Sequence, residues 1–281
     1  MQRWIPGLLG QDFNSVLLEA ARLLFILLVP FVAFAISIHW FELVTQRRLA
    51  ERFGWKAVLW TGWLGTPIHE LSHAFMCRVF QHRIEEMALF EPDRESGRLG
   101  FVKHSFRKGN WFQELGNVFI GIAPLLGGSV VLAGLLWIFY RDAVSISIEA
   151  ARTDHSGDVF AAMFSIVGSL VGNILTIGNL GTVRFWTFIY LVLCVGSHMA
   201  PSGSDYRGAS RGVFLLGGIL LIGVFSLALG GIDSNAMLDG MIGIFGPLFA
   251  IFGLTIVLCG ISTAIVWLIT SFIPQRFEIS D

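Results

Sequence analysis

Gly65-Thr66-Pro67-Ile68-His69-Glu70-Leu71-Ser72-His73-Ala74 lies inside the apolar run from Ala57 to Cys77, and its reading decides both the fold and the chemistry expected of this chain. His69 and His73 are four residues apart, so on a helix they sit about 40° from one another on one face and can point both imidazoles at a single metal ion. Glu70 stands beside them. Two neutral imidazoles and a third protein ligand leave a fourth zinc position for water, and an adjacent carboxylate can take that water's proton. Burying two His and a Glu this far into an apolar run costs on the order of several kcal/mol unless something compensates, and a bound dication is the compensation these residue types suit.

The rest of the chain gives that motif its solvent. Of 281 residues 54% are hydrophobic and only 14% charged, with 25 Phe and 9 Trp, which is too apolar for a soluble domain and points to a membrane. A net charge of -1 provides no basic surface for a phosphate backbone, so nucleic acid is not an expected partner. Of the three cysteines, Cys194 and Cys259 fall in apolar runs, so the disulfide framework of a small secreted protein is absent. Near the N-terminus, Arg3, an apolar stretch from Leu23 and Ala33-Phe34-Ala35 imitate a cleavable signal peptide, but the run continues to Phe41 and is long enough to span.

Six runs can cross about 30 Å of hydrocarbon at 1.5 Å per residue: Leu23 to Phe41, Ala57 to Cys77, Leu115 to Tyr140, Phe185 to Ala200, Val213 to Gly231 and Met241 to Ile273. A further candidate, Val159 to Gly181, is interrupted by Gly168, Gly172, Gly178, Asn173 and Asn179 and reads as re-entrant or interfacial. Lys and Arg arbitrate, because cytoplasmic loops are enriched in them. With that segment not spanning, the 19 basic residues divide 12 to 7, with both termini and the loop from Arg78 to Trp111 on the richer side; if it spans they divide 10 to 9. Within the loop, Ile84 to Phe90 and Leu99 to Val102 flank the turn-forming Glu91-Pro92-Asp93-Arg94-Glu95-Ser96-Gly97, which predicts a β-hairpin. The expected fold is therefore an all-α polytopic membrane protein of about six helices with a short hairpin after the zinc helix. Its divisions are a first span and loop at 1–56, a core at 57–211 and two C-terminal spans at 212–281.

Asp205 and Asp239 are the acids able to supply the third ligand. Asp205 follows Ser197-His198-Met199-Ala200-Pro201-Ser202-Gly203-Ser204, where Pro201 and Gly203 end a span and can turn a carboxylate back toward the core. Asp239, in Leu238-Asp239-Gly240, lies one span further on, hence on the opposite membrane face, and only one of the two can meet the zinc. Cys77 continues the His69 and His73 face and reads more simply as a packed small residue. His198 is either a ligand-orienting residue or a satisfied core histidine. Asn117 either hydrogen-bonds an extended substrate or packs helices. His104 reads as a loop residue.

The segment Gly65 to Ala74 resembles the zinc helix of the site-2 protease family of intramembrane metalloproteases. Gly97-Arg98-Leu99-Gly100-Phe101-Val102-Lys103-His104-Ser105, Gly116-Asn117-Val118-Phe119-Ile120-Gly121-Ile122-Ala123-Pro124 and the stretch from Ser197 to Ala209 follow in the order of a small bacterial branch without PDZ domains. The resemblance implies that His69, His73 and Asp205 hold one Zn2+ and that Glu70 is the general base. It further implies that the hairpin steers a transmembrane or membrane-anchored protein substrate, with Asn117 holding its strand, in a bacterial plasma membrane. Two positions depart from the family pattern. Ser72 replaces a Gly, and the Asn-Pro-x-Pro-Asp-Gly signature is missing at Asp205 while Leu-Asp-Gly occurs at Asp239. Two rival readings keep the motif: a chambered membrane zinc protease with a Glu as third ligand, for which Glu149 in a polar loop and Glu278 in the tail are poorly placed, and an idle zinc-binding scaffold, which would not need Glu70.

Overall fold

The computed structural model describes residues 13–153, 159–203, 205, 210–229 and 234–275. Their order is α1 (Phe13–Phe53), α2 (Trp55–Val79), β1 (Arg83–Ala88), β2 (Phe101–Ser105), α3 (Trp111–Gly121), α4 (Ala123–Thr153), α5 (Val159–Ile174), α6 (Ile177–Leu180), α7 (Val183–Gly196), α8 (Ser210–Leu229) and α9 (Ser234–Ser271). Three helices are long and apolar enough to cross a membrane, over Leu24–Phe53, Ala123–Ile146 and Leu248–Ser271. Val183–Gly196 and Arg211–Gly223 are apolar but shorter. The outer surface fits a lipid solvent: Trp40, Trp60, Trp63, Phe214 and Phe272 are all exposed, which water would penalise over so large an apolar area.

Helix boundaries differ from the expected spans for local reasons. The run Leu115 to Tyr140 is two helices. Ile122 caps α3 with its N–H on the Val118 carbonyl, and Pro124, which lacks a donor, is tolerated only in the first turn of a new helix. Tyr140, the expected end, is a kink at φ -135° and ψ 37°, beyond which α4 continues to Thr153. The stretch containing Glu149 is thus helical and not a loop. In the same way α1 runs unbroken past Ala35 and past Phe41 to Phe53. The interrupted segment Val159 to Gly181 forms α5, of 16 residues, and the single turn α6, where Thr176 accepts from the Asn179 N–H.

Aromatic and aliphatic side chains from α1, α4, α7 and α9 make the main core: Phe34, Ile38, Leu132, Phe185, Phe188, Val192 and Leu258 are buried in one cluster. Phe34 stacks on Phe252 with ring centroids 3.9 Å apart, and Phe31 meets Phe249 and Phe252 edge to face, which fastens α1 to α9. On the other side of α2 the helices come closer than side chains would allow. A Cβ on Gly65 would stand 2.1 Å from the Cys194 carbonyl oxygen and 2.8 Å from His198 Cβ, so the absence of a side chain one turn before His69 lets α2 lie against the end of α7.

The hairpin is present, with strands displaced slightly from the expected ones. β1 and β2 pair antiparallel in the register Ala88 to Phe101, Met87 to Val102 and Glu86 to Lys103, and a bulge after Ile84 shifts the pairing to Ile84 with His104. Its turn is held by Asp93 N–H on the Arg98 carbonyl at 2.8 Å, with Gly97 at φ +70°. Among the described residues, the other edge of β2 has no strand partner.

Candidate metal centre

Two segments that are far apart in sequence supply the centre. His69 and His73 project from α2, and Asp205 comes from the segment after α7. One ligand atom of each residue lies within 4.8 Å of the others, and they are the metal-competent group among the described residues. His69 Nε2 and His73 Nε2 are 3.1 Å apart, His73 Nε2 is 3.4 Å from one Asp205 carboxylate oxygen, and His69 Nε2 is 3.7 Å from the other. Ligand bonds to zinc are about 2.0–2.2 Å, so three donors at such separations can converge on one ion.

The far side of each imidazole fixes which nitrogen is free. His69 Nδ1 donates to the His198 carbonyl at 2.8 Å, and His73 Nδ1 donates to the Ile120 carbonyl at 2.7 Å. With the proton held on Nδ1, both Nε2 lone pairs are directed at the Asp205 carboxylate, which is the orientation a bound metal requires. Two imidazoles and one carboxylate, with no fourth protein donor among the described residues, would leave one position open on a four-coordinate ion.

Asp205 is fixed by its own turn. Ser202 N–H donates to the Asp205 carboxylate at 2.6 Å, and Asp205 N–H returns a bond to the Ser202 carbonyl at 3.0 Å. The α3–α4 junction presses on the same turn: a Cβ on Gly121 would come 2.7 Å from the Asp205 carbonyl oxygen, so only glycine admits this approach.

These groups face a cavity of about 720 Å³ that also takes in Glu70, Thr66, Asn117, Glu42 and the whole run from Ser96 to His104. The Glu70 carboxylate and the Asn117 carboxamide make no hydrogen bond to another described residue, and both are buried on the cavity wall, 7% exposed. The Thr66 hydroxyl, one turn before Glu70, is buried without a partner. A continuous wall of strand and turn residues beside a metal-competent group is what an extended polypeptide could occupy.

The remaining expected residues fall as follows. His198 orients His69 by its main chain, while its ring is satisfied by Thr61 Oγ1 at 2.9 Å. Cys77 is buried on α2 and lies outside the metal-competent group. His104, expected in a loop, is on β2, with its Nδ1 3.0 Å from His82 Nδ1. Asp239 sits near the start of α9 with a side chain outside the described residues, as are the side chain of Glu149 and all of Glu278 and Arg207. Ser72 donates to the Ile68 carbonyl at 2.6 Å and is accommodated opposite Gly127. Sequence reasoning missed Glu42, on α1. An acid at the end of a long apolar run was the available signal, since such residues are rare in spans unless they serve a purpose.

The chain matches no protein-family model, no curated protein and no solved structure.

Proposed function

We propose that this protein is a zinc-dependent intramembrane endopeptidase of the site-2 protease type, hydrolysing peptide bonds of membrane-embedded proteins from a bacterial plasma membrane. The convergence of His69, His73 and Asp205 beside a Glu70 that has no hydrogen-bond partner among the described residues carries the reading. In this topology α2, α7 and α8 join the three long apolar helices as spans, both termini face the cytoplasm, and α5 does not cross.

When bound, zinc supplies Lewis-acid polarisation of the scissile carbonyl and of water. Glu70 takes a proton from the attacking water and returns it to the leaving amine, a role open to it because it lines the cavity and holds no ion pair among the described residues. A substrate helix hides its carbonyls in its own hydrogen bonds, so the cleaved segment has to unwind. The edge of β2 without a strand partner among the described residues then offers the main-chain partners that the helix gave up, and Asn117 adds a carboxamide from the cavity lining. The carboxylate among the converging ligands is an Asp, which disfavours a chambered protease with a Glu ligand, and the unpartnered Glu70 disfavours an idle scaffold.

A proteomic comparison of membrane-anchored fragments between cells carrying the wild-type chain and cells carrying Glu70→Gln tests this function. Fragments cut within spans should disappear in the variant while their precursors accumulate. Identical fragment profiles would refute proteolysis.

A further inference from the structure

We infer that α1 is part of the active-site scaffold, with Glu42 and Gln46 acting as positioning residues that clamp the turn carrying Asp205. This inference rests on the metal-centre reading proposed above and extends it to a helix outside the 57–211 core. Glu42 and Gln46 are one turn apart on a single face of α1. A Glu42 carboxylate oxygen accepts from the Ala200 N–H at 2.7 Å. Gln46 Nε2 donates to the Ser197 carbonyl at 2.6 Å and lies 3.0 Å from His198 Nε2.

Those contacts fall on the short piece of chain that runs from the end of α7 to Asp205. The helix α7 ends at Gly196, so the Ala200 N–H has no helical acceptor, and Pro201 cannot contribute a donor. Without Glu42 the Ala200 N–H would be a buried orphan. The same piece has two outputs to the metal centre: the His198 carbonyl fixes the His69 ring, and Ser202 fixes the Asp205 carboxylate. Two of the three ligands therefore depend on a turn that α1 holds from behind. Thr45, between the two clamp residues, faces elsewhere and bonds Thr263 of α9 at 2.9 Å, so it serves helix packing alone.

Zinc affinity of the purified full chain, measured by competition with a chelating dye and checked by the visible spectrum of the Co2+ form, tests the clamp. Glu42→Leu should weaken zinc binding about 10- to 100-fold, the usual consequence of losing a residue that orients ligands. Glu42→Gln, whose carboxamide oxygen still accepts from Ala200, should recover affinity to within a few-fold, and Thr45→Val should leave it and the Co2+ spectrum unchanged. If Glu42→Leu cannot be recovered folded, Gln46→Leu decides, with weaker binding and an altered Co2+ spectrum expected. Wild-type affinity in Glu42→Leu or in a folded Gln46→Leu would overturn the clamp, as would an equal loss in Thr45→Val. A wild-type chain that binds no zinc, with His69→Ala indistinguishable from it, would instead overturn the metal centre on which the clamp depends.

Discussion

Among the described residues two pairs of histidine rings stand within hydrogen-bonding distance, and they are built to opposite ends. In the pair His69 and His73 each Nδ1 is spent on a main-chain carbonyl, and the two Nε2 atoms meet in front of a carboxylate. In the pair His82 and His104 the Nδ1 atoms face one another at 3.0 Å and His82 Nε2 donates to the Gln113 carbonyl, with no acid in a metal-competent group around them. The first arrangement leaves two lone pairs free for an ion. The second spends both His82 nitrogens on His104 and on the Gln113 carbonyl, and so ties the hairpin to α3. Proximity of imidazoles is thus no guide to metal binding; what the outward nitrogens are doing is.

The contrast breaks most visibly by substitution at the ligands. Asp205→Ala and His73→Ala should each lose metal and activity together, whereas His104→Gln should retain metal. Metal content of the purified variants reads this directly, and zinc retained in Asp205→Ala but lost in Asp239→Ala would reassign the third ligand to α9. A smaller effect is expected at Gly121. Gly121→Val drives a branched side chain into the Asp205 carbonyl, so zinc affinity should fall roughly 10- to 100-fold in a chain that remains helical. Unchanged affinity would mean that the turn is free to move.

The smallest effect lies in the histidine latch and depends on pH. Burial, with the charges of His82 and His73, pushes His104 down from 6.5 to about 4, and burial lowers His82 as well, against the Gln113 hydrogen bond. A depressed imidazole pKa means that the unfolded form binds the proton first, so the stability given by the neutral latch is complete above pH 6.5 and is lost as pH falls toward 4. Amide exchange in residues 83–105, corrected for the intrinsic rate, should therefore accelerate between pH 7 and pH 5, and His104→Gln should abolish most of that change. Exchange that is insensitive to pH would remove the latch from the account.

How far the sequence could be read follows from the range of the forces involved. His69, Glu70 and His73 were legible because helical periodicity places them without any knowledge of the rest of the chain. The hairpin was legible from its turn residues, but not the bulge after Ile84, because register depends on what the strands pack against. The kink at Tyr140 coincided with the expected end of a span, yet α4 continues to Thr153, since hydropathy marks where lipid contact ends and not where the helix does. Asp205 could be narrowed to one of two acids, and its choice rested on chain topology. Glu42 left only the signal of an acid at the end of an apolar run, and Gln46 left none, because their contacts are to main-chain groups of Ala200 and Ser197, which side-chain patterns do not record.

Glu70 separates metal binding from catalysis and so bears most directly on the central claim. Zinc content and cleavage of a membrane-embedded substrate should be measured side by side in wild type, Glu70→Gln and His69→Ala. The account predicts about one zinc per chain in the first two and little in the third, with turnover in Glu70→Gln lower by about 10²- to 10⁴-fold, the range of a lost general base. Zinc loss in Glu70→Gln equal to that in His69→Ala would make Glu70 a ligand, and undiminished cleavage in Glu70→Gln would contradict the mechanism altogether.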